Sequence, residues 1–212
     1  VRQRGVDGFL QPRDLAAEFL HFLAKGAPDD AERIGFLNQA LEIRPSDPEL
    51  CFELSQALER TGEPEAARQN RLKALELWLD LARVDRVGDE VFRAVEEDLA
   101  VAPGRVGKLL LRYAAQAPWA DAEPILDLAL PDIEKLAAGL LTWNDVVPLC
   151  SRAPATPDAR KLLAAFLRLA VLAEPDPDAI VECSGIKDAA GPMAAVTARI
   201  PKILSLPPGA HV

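Results

Sequence analysis

Little in this chain of 212 residues is suited to catalysis or metal binding. Its two histidines, His21 and His211, have no second histidine or cysteine at ligand spacing, so zinc is not indicated. The three cysteines, Cys51, Cys150 and Cys183, are far apart, form no CxxC, and are too few for a disulfide framework; they read as buried, reduced thiols. A glycine-rich phosphate loop, an HExxH and a GxSxG are all absent. No apolar run approaches the roughly 18 residues that span a bilayer, and no apolar stretch follows Val1-Arg2-Gln3-Arg4 as it does in a secretory signal. Aromatic residues make up only 5%, which disfavours strands. The expectation is a cytoplasmic protein that is not an enzyme and holds no metal or cofactor.

Positive charge is also scarce. Twenty-four Lys and Arg against 33 Asp and Glu give a net charge of −9. The basic residues are scattered among carboxylates, as at Arg68, Arg71 and Lys73, so nothing gathers them against a phosphate backbone or an anionic membrane. Nucleic acid and membrane are therefore not expected partners. The carboxylate pairs Asp29-Asp30 and Glu96-Glu97 read as N-caps and solvated helix faces rather than as acid–base machinery.

What is present is helix. Half the residues are hydrophobic, and 18 prolines fall mostly between apolar-periodic stretches. The pattern predicts helices near 13–25, 30–43, 48–61, 64–84, 88–101, 105–117, 121–130, 132–140, 144–151, 157–174, 177–184 and 189–203. Asp47-Pro48 is a start signal, an N-cap carboxylate followed by a proline whose missing N–H had no partner to lose. Thr156-Pro157 and Asp176-Pro177 repeat that grammar. Gly26 and Gly62 sit where a left-handed C-terminal cap is wanted. The one strand candidate, Asp145-Val146-Val147-Pro148, is short and broken by proline, so it is set aside. Trp78, Trp119 and Trp143 read as packing between helices, with Trp143 alternatively a hydrophobic staple. Residues 1–11 read as a flexible N-terminal segment and 205–212 as a tail. Between them lie a repeat region at 12–84, a helical region at 85–151 and a C-terminal helical region at 152–204.

The first of these carries a period. Ala40 and Ala74 are 34 residues apart, as are Leu20 and Leu54, Ala17 and Cys51, and the helix breakers Pro28 and Gly62. Two helices per period of this length are the mark of stacked helical hairpins. On these residues the chain resembles the tetratricopeptide repeat (TPR) proteins. The unit from Asp47 to Leu79 carries Cys51, Leu54, Ser55, Leu58, Gly62, Ala67 and Ala74 at the family's small and large positions. The unit from Asp14 to Pro45 carries Ala17, Leu20, Ala24, Leu37, Ala40 and Pro45, and departs with Arg33 at a small position. A degenerate third unit at 103–135 follows with Val106, Leu109, Tyr113, Ala122, Leu126 and Ala129. It comes 55 residues after the second unit, so the helix at 88–101 lies in an insertion. A plain helical bundle shares the same spacings.

The resemblance implies an all-α, TPR-like stack of antiparallel helix pairs, an α-solenoid followed by further helical hairpins. It implies a groove lined by Leu15, Glu18, Phe22 and Lys25 of the first unit and by Glu49, Phe52, Gln56 and Glu59 of the second. In the third unit the matching positions are Gly104, Gly107, Leu111 and Ala114. His21 falls at a packing position. Such a groove implies a protein–protein interaction module or scaffold that binds a peptide segment or partner helix with apolar anchors and basic flanks. Phe22 and Phe52 have ordinary core as their alternative role. A carboxylate clamp for an acidic tail is not implied, because Glu18, Phe22, Glu53 and Gly104 stand where cations are needed and only Lys108 has the right sign. Three other functions fit the same sequence: a regulatory or docking domain of a larger enzyme or transcription protein, a secretion-type chaperone, and a small-molecule-binding or catalytic helical domain.

Overall fold

In the computed structural model, residues 12–132, 143–150, 152–154, 156–159, 161–163 and 165–166 are described. They are helical, with no strand among them. The chain divides into two compact units, the first ending at Arg83 and the second beginning at Val84.

The first unit is built from α1 (Pro12–Gly26), α2 (Asp30–Ile43), α3 (Pro48–Arg60) and α4 (Pro64–Asp80). Local chemistry sets where each begins. The Asp29 carboxylate accepts from the Glu32 N–H at 2.8 Å and opens α2. Asp47 accepts from the Glu49 and Leu50 N–H groups at 3.1 and 3.3 Å and opens α3, with Pro48 in the first turn as the sequence predicts. Each such cap is worth about 1 kcal/mol. The helices pack α1 on α2, α2 on α3 and α3 on α4. Their shared core holds Ala24, Leu37, Ala40, Leu50, Leu54, Leu58 and Ala67. The small residues of the 34-residue pattern are its close-approach points: Ala17, Ala24, Ala40, Cys51 and Ala74 are each at most 1% exposed.

Two helix ends differ from expectation. Gly26 closes α1 without a left-handed turn; among the described residues positive φ belongs to Gly62 (81°) and to Ala82 (54°). Both sit in the same hydrogen-bonded cap. Glu63 N–H donates to Leu58 O at 2.9 Å around Gly62, and Arg83 N–H donates to Trp78 O at 2.9 Å around Ala82. The second cap ends α4 at Asp80, whereas the sequence predicts helix to residue 84. Alanine is a poor residue for this geometry, so the apolar periodicity carried no warning of it.

The second unit contains α5 (Gly88–Asp98), α6 (Pro103–Gln116), α7 (Trp119–Ala129) and α8 (Trp143–Cys150), with single 3-10 turns at Val84–Arg86 and Leu130–Asp132. Val106, Leu109, Tyr113, Ala122, Leu126 and Ala129, the residues of the third unit, are all buried, and α6 pairs with α7. Helix α5 packs on both of them, and α8 packs on α6. Gly88 is where α5 meets α6: a Cβ there would lie 2.9 Å from the Tyr113 hydroxyl. The rejected strand 145–148 is helix, within α8. Thr156 Oγ1 accepts from the Ala159 N–H at 3.3 Å, as its Thr-Pro pair implies. The predicted helices 132–140, 177–184 and 189–203, the end of 157–174, and the Asp176-Pro177 start lie partly or wholly outside the described residues.

Candidate functional site

Helix α1 turns Ala17 and Ala24 inward, at 1% and 0% exposure. At 3.6 residues per turn its opposite side carries Leu15, Phe19 and Phe22. These are 52%, 62% and 71% exposed. The residues 34 positions on in α3 are Glu49, Glu53 and Gln56, of which Glu49 and Gln56 are exposed and Glu53 is half-buried. In the second hairpin the same places are thus polar. The fold does not require apolar side chains there, and α1 has three.

One flank of this row runs along α3. His21 Nε2 lies 2.9 Å from Glu53 Oε1, and Lys25 Nζ lies 3.6 Å from the same oxygen. On the same flank Arg44 donates to Glu18 at 2.6 Å and to Asp14 Oδ1 at 3.4 Å. Hydrogen bonding to Glu18 is the main reason the Arg44 guanidinium holds its proton more tightly than usual. Thirty-four residues on, the Glu18–Arg44 pair becomes Phe52–Trp78, with ring centroids 5.2 Å apart and planes inclined by 59°. Phe52 is half-buried and Trp78 is 4% exposed.

Of the residues the family pattern nominates, Leu15, Glu18, Phe22 and Lys25 lie on α1 and Glu49, Phe52, Gln56 and Glu59 on α3, and all but Phe52 are exposed. Leu111 does not join them, being fully buried inside the second unit, with Gly107 and Ala114. Its apolar periodicity in α6 served the core. Phe19 was missed, because the pattern counts groove positions from the helix start and passes over it. The spacing Leu15, Phe19, Phe22, set against Ala17 and Ala24, was the available signal.

The departure at Arg33 has a local solution. Its side chain reaches to α1, where Nε donates to Ala24 O at 3.1 Å, and its Nη1 lies 3.3 Å from Asp30 Oδ1. A long side chain thereby adds a second donor to a carbonyl near the end of α1 that otherwise accepts from the Ala27 N–H at 3.4 Å.

Chemical reactivity is sparse. Cys51 is buried, and that burial pushes its thiol above the usual range, which keeps it protonated and unreactive. Among the described residues no group of three or more His, Cys, Asp or Glu side chains is placed to hold a metal ion. No described helix is long and apolar enough to cross a membrane. What the α1 face can do is bury apolar area. Covering the rest of each exposed Leu or Phe contributes about 1–2 kcal/mol before the costs of association. No family model, curated protein or solved structure matches the chain.

Proposed function

We propose that this chain is a protein–protein interaction module built on TPR-like helical hairpins, and that it binds through the outward face of α1 and the adjoining edge of α3. The supporting observation is the apolar row Leu15, Phe19 and Phe22, standing exposed where the second hairpin carries Glu49, Glu53 and Gln56. The exposed carboxylates Glu49 and Glu59 border the row, and they favour a partner with basic residues beside its apolar anchors. A helix suits this face better than a strand, because spacings of four and three residues match the ridges of another helix.

The test is a selection of displayed peptides against the full chain. Peptides that combine apolar anchors at helical spacing with Lys or Arg should be enriched. Leu15→Ser with Phe22→Ser should weaken their binding about tenfold or more with helical content unchanged. Absence of enrichment, or binding indifferent to both changes, would overturn the reading.

A further inference from the structure

We infer that the partner of the α1 face is a second copy of this chain, with the two α1 helices packed antiparallel about a two-fold axis. This rests on the interaction reading above and names its partner.

Helix α1 itself has the chemistry its face asks for. It offers Leu15, Phe19 and Phe22 as anchors, and the exposed Lys25 as a basic flank. Its charges are self-complementary in one orientation. Glu18 and Lys25 stand seven residues apart, about two helical turns, on the same side of the row, 52% and 60% exposed as side chains. Antiparallel helices bring like flanks together in reverse order. Glu18 of one copy then runs beside Lys25 of the other, twice per dimer. A parallel pair would set neither opposite its complement.

Shape selects the same orientation. Gly26 ends α1 with open space about the position of a Cβ. In an antiparallel pair Phe19 of one copy comes over Gly26 of the other, while Phe22 and Leu23 meet near the axis. Bulky residues then interleave with small ones, whereas a parallel pair stacks Phe19 on Phe19 and leaves Gly26 facing Gly26. Repulsion opposes the approach, since the chain carries −9 overall and Glu49 and Glu59 border the row, but Arg44 beside Glu18 and Lys25 beside Glu53 offset part of the charge on that flank. A two-fold contact of this kind closes on itself and ends at a dimer.

Sedimentation of the full chain up to about 100 µM tests this, because a contact of micromolar affinity is then well populated. The expected result is a species of twice the monomer mass. Phe19→Glu should weaken that dimer at least about tenfold, and since Phe19 is 62% exposed its helical content should stay unchanged. A nitroxide at Pro12→Cys, on the row's side of α1, with Cys150 and Cys183 replaced by serine, reports orientation. Antiparallel pairing separates the two labels by roughly 30 Å along the axes, at 1.5 Å per residue, and parallel pairing sets them side by side, roughly 10 Å apart. A chain that stays monomeric, a dimer indifferent to Phe19→Glu, or a short label distance would each overturn the proposal. A monomeric chain whose peptide binding is still lost on Leu15→Ser with Phe22→Ser would sink the second copy and leave the interaction reading standing.

Discussion

Where hairpin α1–α2 sets Glu18 against Arg44, hairpin α3–α4 sets Phe52 against Trp78, each 34 residues later. The two pairs share an offset in sequence but not the backbone at their second member, since Arg44 stands just past the end of α2 and Trp78 lies inside α4. An exposed ion pair contributes about 0.2–1 kcal/mol and is screened by salt. An aromatic pair adds about 0.5–1.5 kcal/mol beyond its area and is not screened. The second hairpin is thus the better anchored one. The first keeps ions at its seam and puts two of its aromatic rings, Phe19 and Phe22, outside, while Phe36 packs against the core. A fixed offset of 34 residues thus leaves open whether a side chain serves the fold or the surface.

Truncating the buried ring is the harshest test of that difference. Trp78→Ala should cost about 3–5 kcal/mol in urea denaturation, while Arg44→Ala at the matching place should cost no more than about 1. Similar losses at the two sites would dissolve the contrast. Next come the two left-handed caps. Gly62→Ala should destabilise by about 1–2 kcal/mol, since a methyl group disfavours that φ even where there is room for it, and Ala82→Gly should recover up to about 1.

Transplanting the pair is a subtler probe. Glu18→Phe with Arg44→Trp should fold and gain about 0.5–1.5 kcal/mol, with the melting temperature no longer falling as salt is added. Loss of cooperative unfolding in that double variant would show that the two hairpins are not equivalent. The smallest effect belongs to Asp30, which receives Arg60 Nη2 at 2.8 Å and Nε at 3.0 Å. Hydrogen bonding from Arg60, with the charges of Arg60 and Arg33, holds the Asp30 carboxyl below its ordinary range against a smaller cost of burial. A lowered value means that the contribution is complete above the unfolded-state range and disappears as pH falls through the folded one. Asp30→Asn should therefore narrow the gap between neutral and acidic denaturation midpoints, whereas an unchanged gap would remove Asp30 from the account.

Much of the first unit was legible from the chain, because its signals are local. Caps at Asp29 and Asp47, prolines in first turns and a period of small residues each act within a few residues or at a fixed offset. The end of α4 was not legible, since alanine at a left-handed position advertises nothing. Leu111 shows a different limit: in α6 the predicted groove position and the core position are both apolar, and only packing distinguishes them. Phe19 shows a third. The contrast with Glu53, 34 residues on, is in the sequence, but that Phe19 stands 62% exposed needed coordinates.

The turn at Ala82 has a consequence for how the molecule comes apart. Proteases bind their substrates extended, and Leu81, Ala82 and Arg83 leave helical geometry together with all three exposed. Cleavage after Arg83 by trypsin would cut the chain where its two compact units divide, leaving the apolar cluster from Ala24 to Ala67 whole on the N-terminal side. Limited digestion is thus a route to the portion of the chain that holds α1 to α4.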